Sequence, residues 1–131
     1  MIARILLIED DEDLLQLFAD ALNQNGFSVD KFTEPFKALS VFEQNPDGYD
    51  LVLSDIRMPG INGLDLVRKI RAINPNVNFA LMSAFETDSF QSGELDLSSF
   101  MKKPMHIEQL INAVRGCIEG SKKVSRAEKF R

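Results

Sequence analysis

Cysteine is almost missing. Cys117 is the only one in 131 residues, so no disulfide can close within the chain and a cystine-stapled fold is excluded. A lone thiol fits a reducing compartment, and its place near a helical apolar stripe reads as packing rather than reactivity. Histidine is as scarce. His106 is the only one, and it stands at the start of a helical stretch just after Pro104, the place of a helix-end residue rather than a phosphoacceptor or relay. No apolar run approaches the roughly 20 residues needed to span a bilayer. The opening Met-Ile-Ala-Arg leads into a short apolar run that meets acids at once, unlike a secretory signal peptide. Internal repeats and low-complexity segments are also lacking. These absences point to a cytoplasmic protein with no membrane contact.

What is present fits one globular domain. Hydrophobic residues make up 44% and charged residues 27%, ordinary values for a soluble fold, and the length allows a core of useful size. The net charge of −5 is unevenly spread. Residues 121–131 carry Lys122, Lys123, Arg126, Lys129 and Arg131 against Glu128, while the remainder holds ten basic and 19 acidic residues. An acidic body does not look like a nucleic-acid binder. The composition shift falls after Gly120, so the expected organisation is a domain over 1–120 and a basic tail or linker over 121–131. Such tails are more often solvated than bound.

Two patterns alternate along the chain. Short, nearly continuous apolar runs at Ile5 to Ile8, Leu51 to Leu53 and Val77 to Met82 suit strands buried on both faces, as in a parallel sheet. Phe27 to Phe32 and Ser98 to Lys102 are weaker candidates. Between them, apolar residues recur at helical spacing: Leu14, Leu15, Phe18, Ala21 and Leu22; Pro35, Ala38, Leu39 and Phe42; Leu66, Val67, Ile70 and Ile73; and Ile107, Leu110, Ile111, Val114 and Ile118. Asn25-Gly26 stops the first helix, Thr33 with Pro35 opens the second, and Asn74-Pro75 closes the third. Residues 85–99 are rich in Ser, Asp and Thr and hold Gly93, all weak helix formers. A short or irregular fourth helix is expected around 87–95. The order is β-α five times over. Right-handed crossovers then place helices on both faces of the sheet.

Ligands in open parallel sheets bind beyond the carboxyl ends of the strands. The first strand runs into Glu9-Asp10-Asp11. The third, in the stretch DLVLSDIRMPG, ends at Asp55. The fourth ends at Met82-Ser83, and the fifth at Lys102-Lys103-Pro104. Singly, each has a plain structural reading. Acids before a helix cap it and complement its dipole, an aspartate starts a turn, and Ser83 or Lys103 can be a loop residue. Jointly, four strands deliver three acids or more, a hydroxyl and an ammonium to one edge.

Carboxylates brought together repel, and one is driven toward protonation unless a cation intervenes. Hard oxygen ligands with room for water suit Mg²⁺. A carboxylate can also attack phosphorus and form an aspartyl phosphate, whose oxygens a lysine and a hydroxyl then stabilise. The set is a kit for phosphoryl transfer.

With the motifs ILLIEDDEDL, DLVLSDIRMPGINGLDL, LMSA and MKKP in this order, residues 1 to about 119 resemble the receiver domain of two-component response regulators. The resemblance implies a flavodoxin-like doubly wound α/β fold, a five-stranded parallel sheet of order 2-1-3-4-5 with helices on both faces. It implies Asp55 as phosphoacceptor and Mg²⁺ as cofactor. Glu9 and Asp10 match the acidic pair, Asp10 being preferred as the direct ligand, with Asp11 a third acid left open. Arg57 would offer its backbone carbonyl to the metal. Ser83 matches the switch hydroxyl and Lys103 the site lysine, chosen over Lys102 because it precedes Pro104 at a bond usually cis in this family. Phe100 matches the switch aromatic. The implied partners are a histidine kinase or histidine phosphotransfer protein and a downstream protein target, with phosphorylation-dependent homodimerisation among the modes of action.

The chain departs from the family pattern in places. Phe100 is often tyrosine there, and phenylalanine cannot make the phenolic hydrogen bond, so an inward state would rest on burial alone. The stretch from Ser83 to Phe100 is short by roughly half a helical turn. Phe85, where many relatives carry a polar residue, borders the path of an attacking water together with Arg57 and is expected to slow loss of the phosphoryl group. Two other readings stand beside the switch. One is a receiver fold that binds partners without phosphorylation. The other is a Mg²⁺ phosphohydrolase of the haloacid-dehalogenase type, but that chemistry places a second acid where Arg57 stands and needs a longer chain. The expected activity is signalling, not enzymatic.

Overall fold

A computed structural model describes residues 2–83, 100–103 and 106–129, with backbone alone at 100 and 120–129. Five strands, β1 (Arg4–Ile8), β2 (Ser28–Phe32), β3 (Leu51–Asp55), β4 (Phe79–Ser83) and β5 (Phe100–Lys102), form one parallel sheet in the order β2-β1-β3-β4-β5. Four helices are described: α1 (Glu12–Gln24), α2 (Pro35–Gln44), α3 (Gly63–Ile73) and α4 (Ile107–Lys129).

The two-residue period of a strand divides the core. Ile5, Leu7, Leu51, Leu53, Ala80 and Met82 face α1 and α4, meeting Leu15, Phe18, Leu22, Leu110 and Val114. Leu6, Ile8, Val52, Phe79 and Leu81 face α2 and α3, meeting Ala38, Phe42, Leu66, Val67 and Ile70. β1, β3 and β4 are central and buried on both sides, the reason their sequences read as unbroken apolar runs. β2 is an edge strand, half-exposed, and its SVDKF sequence accordingly mixes charge with apolar residues. The chain goes from β1 outward to β2, then back across to β3. That reversal leaves a crevice between β1 and β3 at the upper edge of the sheet.

Some expectations need correction. Of the pair Thr33 and Pro35 expected to open α2, only Pro35 does so. Glu34 holds the cap position without a side-chain bond, and Pro35, whose ring presets a helical φ, begins the helix. Ile73, placed on the buried stripe of α3, is 39% exposed because it lies in the last helical residue, where the helix leaves the sheet. Strand β4 starts at Phe79 rather than Val77, since Val77 still bonds back to Asn74. The helix that begins at Ile107 continues through Lys129 and so runs into the basic segment. The expected helix around 87–95 lies outside the described residues.

Candidate functional site

The upper edge is built by ladder bonds that outlast the strands. The Glu9 N–H donates to the Phe32 carbonyl at 3.1 Å, the Ile56 N–H to Met82 at 2.9 Å, and the Lys103 N–H to Ser83 at 2.7 Å. Each bond extends sheet geometry by one residue, so Glu9, Asp55 and Lys103 are held by the sheet itself. Registers Ile8 to Ser54 and Asp55 to Met82 bring the ends of three strands level.

One carboxylate oxygen each from Glu9, Asp10 and Asp55 lies within 4.8 Å of the others. Glu9 is 1% exposed and Asp55 9%, whereas Asp10 faces solvent. The Lys103 ammonium donates to Glu9 Oε1 and, at 3.2 Å, to Asp55 Oδ2. Burial pushes the Glu9 carboxyl up to about 7, and the Asp55 charge acts in the same direction, against the Lys103 ammonium. For Lys103, burial works to lower the ammonium, but the hydrogen bond and charge of Glu9, with those of Asp55, outweigh it and hold the group above its ordinary value. Three acids gather beside one ammonium, and burial favours the neutral form of one of them, Glu9. An all-oxygen donor set with excess negative charge and one solvent-facing member fits a hard divalent cation of the Mg²⁺ kind, which keeps several waters.

The third acid has a different task. Asp11 caps α1, its Oδ1 accepting from the N–H groups of Asp13 at 3.0 Å and Leu14 at 3.2 Å. Ser83 ends β4, 1% exposed, beside the Lys103 backbone. Arg57 lies two residues beyond Asp55 and is exposed. Lys102 pairs with Ser83 in the sheet and is exposed, while the next residue, Lys103, reaches the acids. Phe100 opens β5, but its side chain, Phe85 and the Lys103–Pro104 bond lie outside the described residues. His106 is exposed and its carbonyl accepts from Leu110, a helix-start role. The half-buried Cys117 packs against the core, and burial pushes its thiol up, away from thiolate chemistry.

Two local roles escaped the reading of the sequence. A Cβ on Gly63 would lie 2.4 Å from the Asp55 carbonyl oxygen, so only glycine lets α3 begin against the end of β3. Ser54 is fully buried one residue before Asp55. The Asn-Gly pair before α3 was a signal for the first; a hydroxyl inside an apolar run was a signal for the second.

The family model for the response regulator receiver domain matches residues 5–115. The chain is similar to sensor kinase CckA of Brucella abortus (strain 2308), 29% identical over 119 residues, 89% of this chain and 13% of that protein. It is 34% identical over 116 residues to the C4-dicarboxylate transport transcriptional regulatory protein DctD of Rhizobium meliloti (strain 1021), 85% of this chain and 24% of that protein. The chain thus spans a quarter or less of these two relatives. Response regulator receiver protein CpdR of Brucella abortus (strain 2308) is 29% identical over 113 residues, 85% of this chain and 92% of its own. A receiver domain structure from Clostridium thermocellum shares the fold, with a TM-score of 0.83, 24% identity, and coverage of 94% of this chain and 99% of that one.

Proposed function

Because the chain belongs to the response regulator receiver domain family, we propose that it is a phosphorylation switch with Asp55 as the phosphoacceptor. Receivers are signalling modules, and among the described residues no helix is long and apolar enough to cross a membrane. The observation that carries the reading is the meeting of a nearly buried Asp55 with Lys103, Glu9 and Asp10 at one edge of the sheet. The phosphoryl donor is a histidine kinase or histidine phosphotransfer protein, and the place of action is the cytoplasm.

An Asp55 carboxylate oxygen forms the new bond to phosphorus while the bond from phosphorus to the donor histidine nitrogen breaks, the nitrogen keeping the electron pair. Lys103, already at 3.2 Å from Asp55 Oδ2, neutralises charge on the transferred group. Ser83, at the end of the neighbouring strand, donates its hydroxyl to a phosphoryl oxygen. Glu9, Asp10, Asp55 and the Arg57 backbone carbonyl would hold Mg²⁺, which when bound supplies Lewis-acid neutralisation of the oxygens. Drawing Ser83 toward the phosphoryl group frees space for Phe100, which has no phenolic hydroxyl and moves inward on burial alone. The altered face then binds a downstream protein or a second copy of the chain. Residues 1–120 form the receiver and 121–131 a basic extension.

The test is incubation with a small acyl phosphate and Mg²⁺, read by intact and peptide mass spectrometry beside Asp55→Asn. One phosphoryl group on Asp55, lost on chelation and in the variant, is the expected result. No adduct, with no structural response to beryllofluoride, leaves a receiver fold that acts by binding alone.

A further inference from the structure

β3 is buried along its whole length, and its one neutral polar side chain is Ser54, with no exposed surface. The register sets it between Ile8 and Leu81, in the apolar layer that faces α2 and α3. Alanine would pack there as well as serine, and a hydroxyl in such a layer needs a partner. Ser54 Oγ donates to the Asp55 carbonyl at 2.9 Å and lies 3.8 Å from Met58 Sδ, a weak acceptor. Both partners belong to the turn that carries the chain from Asp55 toward α3, and Arg57 lies between them in sequence.

That turn is tied elsewhere too. The Gly63 N–H donates to the Ile56 carbonyl at 2.7 Å, and the bare Gly63 abuts the Asp55 carbonyl. Farther out, Gly60 has φ +91° and its face lies against Phe36, whose nearest ring atom would be 3.4 Å from a Cβ there. These anchors hold residues 60 and 63 and reach back to Ile56, but none of them bonds Arg57 or Met58. Ser54 touches the segment 55–58 at both of its ends, at the Asp55 carbonyl and at Met58 Sδ.

We propose that Ser54 is a positioning residue for the metal side of the site. Its hydroxyl fixes the turn at Asp55 and Met58 so that the Arg57 carbonyl is presented to Mg²⁺ beside the Asp55 carboxylate. Ser54 touches neither the cation nor the phosphoryl group and acts through the backbone, as groups behind a metal's direct ligands do. The inference rests on the proposed Mg²⁺ site, and the experiment separates the two.

Mg²⁺ affinity is measured by isothermal titration calorimetry on the full chain for the wild type, Ser54→Ala and Ser54→Cys, beside urea unfolding without metal. The expected result is binding roughly 10-fold weaker in Ser54→Ala, with Ser54→Cys between, following donor strength. Asp55 labelling by an acyl phosphate slows at low Mg²⁺ and recovers at saturating Mg²⁺. A Ser54→Ala protein that binds Mg²⁺ as the wild type does overturns the inference, whatever its stability in urea. If that variant does not fold, wild-type affinity in Ser54→Cys overturns it equally. A wild type that binds no Mg²⁺ overturns the site assignment itself, and this inference with it.

Discussion

At the scale of residues, Gly63 shows how a missing atom shapes the site. Its N–H reaches the Ile56 carbonyl at 2.7 Å, and an added Cβ would stand 2.4 Å from the Asp55 carbonyl oxygen and 3.0 Å from Ile56 Cα. Both obstacles are backbone and cannot swing aside. Gly63→Ala is therefore expected to cost about 1–3 kcal/mol, the usual penalty of overpacking, measured by urea denaturation. Because the strain falls on the strand that carries Asp55, labelling of Asp55 is expected to slow as well. Full stability and unchanged labelling would show that α3 can back away without moving Asp55. Glu9 makes the complementary point about charge. Its burial, not its neighbours alone, pushes it up to about 7, and Lys103 is the ammonium that answers it. Nothing in the run Glu9-Asp10-Asp11 distinguished the buried acid from the exposed one. Burial depends on what the sheet and helices place over each side chain.

Among elements, α1 settles the division of labour within the acidic run. Its cap is Asp11, bonded to the Asp13 and Leu14 N–H groups, and Glu12 and Asp13 add negative charge to its first turn. Asp11→Ala should lower stability by about 1 kcal/mol, as loss of a good N-cap does, while leaving Mg²⁺ affinity within about twofold. A large loss of Mg²⁺ affinity would make Asp11 a ligand and overturn its assignment as a cap. The helix stripes were legible in the sequence because a 3.6-residue period needs only local information, and Leu110, Ile111, Val114 and Ile118 all fall in the core. Helix starts were less legible. The opening of α2 is read at Thr33 with Pro35, and Pro35 does begin the helix, but the cap position is Glu34 rather than Thr33. Proline stabilises a first turn by its own backbone geometry and needs no capping hydroxyl before it.

For the whole molecule, folding brings carboxylates from two strand ends together against one ammonium. The acids repel one another in the folded state far more than in the extended chain, so a cation that binds only the folded site stabilises the whole domain. With Mg²⁺ at about 100 times its dissociation constant the gain is about 2.7 kcal/mol. Scanning calorimetry should therefore show a melting temperature that rises with Mg²⁺, falls back on chelation, and responds much less in Asp10→Asn. A melting temperature indifferent to Mg²⁺ in the wild type would mean that Lys103 alone balances the cluster. The opposite end of the sheet carries its own polar network. There Arg4 pairs with Asp30 at 2.8 Å, and the Tyr49 hydroxyl donates to the same carboxylate at 2.6 Å.

The amino-acid sequence by itself determined the fold class, a parallel sheet of alternating strands and helices, and the placing of acids, hydroxyl and ammonium at strand ends. Those features follow from burial on two faces and from periodicity, which short segments display on their own. It also pointed to a candidate site of Glu9, Asp10, Asp55, Arg57, Ser83, Phe100 and Lys103, with Asp11 left open. Tertiary structure alone decided which acid is buried, that Asp11 is a cap, that Gly63 must lack a side chain and that Ser54 grips the turn beyond Asp55. It also set Lys103, the lysine already chosen over Lys102 in the sequence, against an acid 94 positions away. The burial of Glu9 and its meeting with Lys103 rest on register between strands far apart in the chain, where a one-residue slip would turn each such side chain to the other face. The Asp11, Ser54 and Gly63 contacts, by contrast, are short in sequence but need the backbone path of each turn to be seen.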